Sequence, residues 1–174
     1  MNQVIKVYKQ EVPAMKFVGK KYVGDDVYSH WGEWFANGWF DKVEEAMGGV
    51  DNILNIWKDG GGYVGLEFRK EGELLEYWIG MFAPTDTVAP EGFEYVQFEA
   101  GHIGVCWNYG KEDEVHDVGN NWEYILKEGM EFKLDERGCV AQFENGLCPR
   151  FTTPDENGNV ILDYCFYVNK QNRI

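Results

Sequence analysis

The chain repeats itself. Gly19, Trp39 and the run Glu76-Tyr77-Trp78-Ile79-Gly80-Met81 recur in the same order as Gly101, Trp122 and Asp163-Tyr164-Cys165-Phe166-Tyr167-Val168, at offsets of about 82 to 87 in 174 residues. Spacing this nearly constant reads as a duplicated strand–helix–strand–strand unit, which restricts the fold to arrangements in which two similar units complete one another. Repeat one covers about residues 4–84 and repeat two about 91–169, in a single domain over 1–174. Ala83 to Gly92, with Pro84, Pro90 and no hydrophobic periodicity, is the linker.

Within repeat one, residues 12–24 are β-rich and lead through Asp25-Asp26 into Trp31, Trp34, Phe35, Trp39, Val43 and Met47. These recur at three- and four-residue steps and predict one amphipathic helix ended by Gly48-Gly49. Residues 53–58, 63–69 and 74–82 read as strands, with a turn from Lys70 to Glu73. In repeat two, strands are expected at 93–99, 102–107, near 139–143 and at 160–168, with a short helix around Trp122, Tyr124, Ile125 and Leu126. Asn157-Gly158, between Phe151-Thr152-Thr153 and the last strand, predicts a hairpin.

Two units that each lay a helix on a small antiparallel sheet must bury their remaining edges or faces against each other, and the groove between them is the natural ligand site. Strand alternation predicts Tyr77, Ile79 and Met81, and likewise Tyr164, Phe166 and Val168, beneath the helices. Glu76, Trp78 and Phe82 with Asp163, Cys165 and Tyr167 would then face the groove, with Tyr63 and Glu67 beside them and Trp107 as a further candidate. A carboxylate among aromatic rings suits flat cationic or amphipathic molecules, because the rings offer stacking and cation–π attraction while the acid offers counter-charge. Such an acid is either reserved for a cation or poised to move a proton. The same acids also read as solvated groups on an exposed strand face, and Trp31, Trp34, Trp39 and Trp122 read as core.

Charge excludes other classes. With 16 Lys+Arg against 30 Asp+Glu the net charge is −14, which repels nucleic acid and anionic lipid. No segment has the length of a membrane span or the pattern of a signal peptide, so a cytoplasmic protein is expected. Cys106, Cys139, Cys148 and Cys165 match neither zinc nor redox spacing and are expected as free thiols; His30, His102 and His116 have no ligand spacing either, so no metal is expected. Gly60 to Gly65 fits a dinucleotide fingerprint in letters only, since it leads into a strand and not a helix. Asp155, Asn157 and Asn159 begin like a calcium loop, but Val160 stands where glycine is needed. No cofactor is expected.

The segments PAMKFVGKK (13–21), EYWIGMFAP (76–84), PEGFEYVQFEAGHIGV (90–105) and RFTTPDENGNVILDYCFYV (150–168) resemble the GyrI-like, or AraC effector-binding, small-molecule-binding family. The resemblance implies an α+β fold of duplicated βαββ units with antiparallel sheets and a central cleft, an SHS2-type tandem repeat. It also implies a central cleft acid ringed by aromatics, and binding of drugs, dyes and other organic molecules in drug sensing, sequestration or transcription regulation. The family's acid falls at Asp163, with Tyr167 where a proline is usual; the shorter side chain leaves Glu67 and Glu76 as alternatives. With no helix-turn-helix ahead of the first family-like strand, a stand-alone member is implied, with a homodimer or a regulatory protein as possible partner. A subset of the family hydrolyses cyclopropane-bearing toxins with a cleft carboxylate and aromatics, for which Glu67, Glu76, Trp78 and Tyr167 are the raw material. That keeps a hydrolase as the alternative, with catalytic residues unassigned.

Overall fold

In the computed structural model, which describes residues 2–146 and 148–172, the alternating segments become eight strands. They are β1 (Gln3–Val12), β2 (Met15–Val23), β3 (Val64–Arg69), β4 (Glu76–Ala83), β5 (Glu94–Phe98), β6 (Gly101–Lys111), β7 (Val140–Asn145) and β8 (Asn159–Val168). All join one antiparallel sheet in the order β1-β6-β8-β7-β3-β4-β2-β5. The halves meet edge to edge where β3 pairs with β7. The fold is α+β, with duplicated βαββ units about a central cleft.

The edge strands are exchanged. β1 leads into the first half but pairs with β6 of the second, and β5 leads into the second half but pairs with β2 of the first. Only Pro13 and Ala14 link β1 to β2, and only Glu99 and Ala100 link β5 to β6. Links so short cannot reach across a flat sheet, so the sheet must curl. In a flat sheet five strand spacings, roughly 24 Å, would separate β5 from β8. Phe98 of β5 instead stacks on Tyr167 of β8 with ring centroids 4.7 Å apart. The face enclosed by the curl carries Phe17, Leu66, Trp78, Phe82, Phe143 and Cys165, all buried.

The outer face carries the helices. Over the first half lie α1 (Trp31–Ala36), α2 (Trp39–Ala46) and α3 (Asp51–Leu54), which bury Trp34, Phe40, Val43 and Ile53; over the second lies α4 (Asn121–Lys127), which buries Ile125. Gly104 of β6 makes room for it: a Cβ there would stand 2.8 Å from Ile125 Cδ1. Among the described residues no helix is long and apolar enough to cross a membrane.

Three sequence expectations need correction. The single helix expected over 31–47 is two, because Gly38 takes φ 64° and ends the first. Residues 53–58 are not a strand: the apolar run turns helically, with Trp57 N–H bonded to the Ile53 carbonyl at 2.9 Å, so that Ile53 and Trp57 point the same way into the core. Phe151-Thr152-Thr153 is not a strand either, since α5 (Pro149–Thr152) starts on a proline suited to a first helical turn. The Asn157-Gly158 turn forms, with Gly158 N–H on the Asp155 carbonyl at 2.9 Å, but it joins α5 to β8. All four cysteines are buried free thiols.

Gly19 and Gly80 are held by backbone. Gly19 and Gly80 are cross-strand partners, and a Cβ on Gly80 would fall 2.1 Å from the Val18 carbonyl oxygen. Gly80→Ala is expected to lower stability by about 2–3 kcal/mol, since main chain must move. Gly32→Ala, in α1 with nothing within 4 Å of the added carbon, should be neutral or stabilising by up to about 1 kcal/mol. Urea unfolding midpoints of the two variants check this; equal midpoints would contradict the packing.

Candidate functional site

The helices leave the central seam β3–β7 uncovered, and a cleft of about 1270 Å³ opens there between the two helical layers. Its floor is two rows of residues across the central strands. One row runs Tyr77, Glu67, Gln142, Phe166, and the other runs from Gly65 through Glu144 to Tyr164, continued on β4 by the fully buried Ile79. Read from opposite ends, each row begins Tyr-Glu, so the repeat places a glutamate beside a tyrosine twice, related by a pseudo-twofold axis through the seam.

The walls repeat as well. The 3₁₀ turn Val27–His30 brings Tyr28, and α1 brings Trp31 and Phe35; across the cleft, the turn Val115–Asp117 brings His116 and α4 brings Trp122. Each turn supplies the partner of its own glutamate. Tyr28 Oη donates to Glu67 Oε1 at 2.8 Å, and His116 Nδ1 lies 2.9 Å from Glu144 Oε2.

The two carboxylates are otherwise unlike. Glu67 is 7% exposed and also accepts from Arg69 Nε and Gln142 Nε2, both at 2.7 Å, so its charge is neutralised and its oxygens are occupied. The Glu144 side chain is 32% exposed, and its polar partner among the described residues is His116. That hydrogen bond raises the His116 imidazole above its ordinary value, against the opposing effect of burial. Burial together with Glu67 pushes the Tyr28 phenol to about 12, and burial raises Tyr77 and Tyr164, so all three phenols are neutral donors near pH 7. Tyr77 takes a hydrogen bond from Trp31 Nε1 at 2.8 Å. It fits only because residue 65 is glycine, where a Cβ would lie 2.3 Å from the Tyr77 hydroxyl oxygen. Four carboxylates (Glu67, Glu112, Asp117, Glu144) face one arginine and one histidine in the lining, and the rest is largely aromatic.

Of the residues expected to face the groove, Tyr63 and Glu67 line this cleft. The other seven lie on the enclosed side of the sheet, so the expected parity is reversed. Trp78, Phe82, Cys165 and Tyr167 are buried in the aromatic core. Glu76 accepts from Trp78 Nε1 at 2.9 Å and pairs with Arg137. Asp163 is 3% exposed and bound by Arg150 Nη2 at 2.6 Å, with burial raising its carboxyl against the pull of the guanidinium. Trp107 donates to Tyr8 Oη at 3.2 Å and lies under Arg150. The physical reason is the curl: it closes the face away from the helices, so the cleft must form between the helices, on the face that alternation had assigned to packing. Tyr77, Tyr164 and Phe166, expected beneath the helices, line the cleft instead.

Sequence reasoning missed Tyr28, Arg69, His116, Gln142 and Glu144. The Glu67–Glu144 match escapes a constant offset because the β7–β8 connection, which holds α5, is longer than the β3–β4 turn. Strand pairing recovers it, since Glu67 stands opposite Tyr77 as Glu144 stands opposite Tyr164. Among the described residues no three His, Cys, Asp or Glu side chains are grouped to hold a metal ion.

No family model matches the sequence. No curated protein matches it either. Solved structures do match in shape. A Staphylococcus aureus MU50 protein described as a putative bacterial transcription regulation protein is 13% identical, with TM-score 0.60, covering 95% of this chain and 99% of its own. SAV2435, solved bound to tetraphenylphosphonium, is 15% identical, with TM-score 0.57 and 95% of each chain covered. A Listeria innocua hydrolase is 12% identical, with TM-score 0.50, covering 94% of this chain and 92% of its own. At such identities the likeness concerns architecture alone: this chain has the GyrI-like fold, duplicated βαββ units around one central cleft.

Proposed function

We propose that the chain binds hydrophobic organic cations in the cleft over the β3–β7 seam, in drug sensing or sequestration. One observation carries this reading: a cleft of about 1270 Å³ walled by aromatic rings holds more carboxylates than cationic side chains, and one of them, Glu144, lacks a permanent counter-ion among the described residues. Aromatic faces attract a cation whose charge is spread over an apolar surface, and a partly desolvated carboxylate adds Coulombic attraction stronger than in water. Tyr63 and Glu67, of the residues expected at the ligand, line this cleft together with Trp31, Trp122, Tyr77 and Tyr164. SAV2435, with the same fold, binds the cation tetraphenylphosphonium, which supports this ligand class.

Calorimetry with tetraphenylphosphonium and tetraphenylborate, alike in shape and opposite in charge, tests the reading. Saturable binding of the phosphonium and none of the borate is expected; equal binding of both, or of neither, would contradict it. Glu144→Gln should weaken phosphonium binding about tenfold, equivalent to about 1.4 kcal/mol.

Glu67→Gln is expected to act on stability first. It leaves Arg69 without its buried partner, which should cost about 1–3 kcal/mol in urea unfolding, with a smaller change in affinity than Glu144→Gln. The reverse order of the two effects would assign Glu67 the ligand's charge.

A second reading, hydrolysis of electrophilic cyclopropane-bearing molecules, is supported by the imidazole–carboxylate pair in the cleft, which has the form of a general base, and by the fold shared with the Listeria innocua hydrolase. Mass spectrometry after incubation with cyclopropane and epoxide probes separates the readings. Retained, unaltered probe is expected; a hydrated product formed with turnover would establish the hydrolase.

A further inference from the structure

His116 holds in the second repeat the place that Tyr28 holds in the first. Each sits in the 3₁₀ turn ahead of its helix and bonds the glutamate of its own half. The substitution changes the chemistry, because a phenol keeps its proton through neutral pH while an imidazole gains and loses one near it. It falls on the side of the cleft whose lining has no arginine. Arg69 has Gly146 as its repeat counterpart, so Glu67 has a permanent counter-ion and Glu144 has one only while His116 is protonated.

Resting on the reading of the cleft as a cation site, we propose that capture is an exchange at Glu144: the entering organic cation takes over the carboxylate, and His116 gives up its proton to solvent. One positive charge enters and one leaves, and the only bond broken is the imidazolium N–H. The exchange trades one positive charge for one and so suits monocations, the floor's second carboxylate, Glu67, being already neutralised by Arg69.

The charged and titratable groups around His116 agree in sign. Glu144 faces it from β7, Asp117 and Glu112 flank it on its own segment, and the Phe151 ring stands 6.1 Å away on α5. All three acids favour the protonated ring. From the rest of the floor, Tyr164 of β8 is neutral, and Arg69 of β3 is held by Glu67. The pair with Glu144 thus stabilises the protein fully below the free imidazole value of about 6.5 and loses that contribution as pH rises through the higher folded value. Cation binding should strengthen over that same rise.

The test is titration of the full chain with tetraphenylphosphonium in two buffers of different ionisation enthalpy, at pH 6 and pH 8.5. Close to one proton released per cation is expected at pH 6 and close to none at pH 8.5, with affinity rising toward about tenfold per pH unit below the His116 value. His116→Asn should bind with heats that are the same in both buffers. His30→Asn removes an imidazole paired with Glu33 outside the cleft and should leave the proton count as in the parent. Saturable heats independent of buffer at pH 6 would overturn the exchange and leave the cation reading standing; no saturable heat would overturn both. Independently of the variants, the NMR titration of the His116 ring must move to lower pH on saturation with the cation, and an unmoved titration would overturn the exchange.

Discussion

The chain crosses from one end of its sheet to the other through Pro13-Ala14, and again through Glu99-Ala100. A strand pair at one end is thereby tied within a few ångströms of a pair at the other, which an eight-stranded sheet can satisfy only by rolling up. The roll decides where everything else goes. It turns one face into a closed aromatic core, in which Phe98 meets Tyr167 and the run of buried rings excludes water. It leaves the opposite face to be covered by helices too short to cover all of it, and the uncovered strip is the seam where the halves pair.

The proposed function rests on that strip being symmetric in backbone and asymmetric in side chains. Pairing of β3 with β7 generates two equivalent glutamate–tyrosine positions. Arg69, Gln142 and Tyr28 then saturate one glutamate, while the other keeps a single titratable partner. A duplicated backbone thus carries one acid with saturated oxygens and one whose partner is titratable. The buried polar network around Glu67 fixes the floor, and its position next to Glu144 keeps a second negative charge from accumulating there.

Much of the architecture was legible in the sequence because it rests on local rules. The strands at 64–69, 76–83 and 159–168 obey alternation, the helix near Trp122 obeys its period, and the run from Glu76 matches the run from Asp163. The Gly19/Gly101 and Trp39/Trp122 matches do not hold in register, since Ile103 pairs with Tyr167 as Gly19 pairs with Gly80, and Trp122 lies on the helix that follows its 3₁₀ turn as Trp31 does. What was illegible depended on distant pairing. The charged segment from Gln3 to Val12 is an edge strand, which needs few apolar residues. Alternation separates the two sides of β4 and β8 correctly but cannot say which side faces a cleft; that choice is made by the exchanged edge strands and their short links. For the same reason Glu76 and Asp163, matched in sequence, pair with Arg137 and Arg150 away from the cleft, and Glu144, unmatched in spacing, came to the cleft.

The exchange of edge strands also governs how the protein can come into being. β1 is made before the whole of the first half, yet its partner β6 does not exist until β2, β3, β4 and β5 have all been synthesised. Until then β1 has no neighbour, and the first half, complete in its own three strands, still lacks β5 on its outer edge. Neither half can close its sheet alone, so the repeats are expected to assemble in one late cooperative step of high contact order, with slow folding as its kinetic signature. The duplication that supplies two pocket halves therefore also removes the modular independence that duplicated units ordinarily retain.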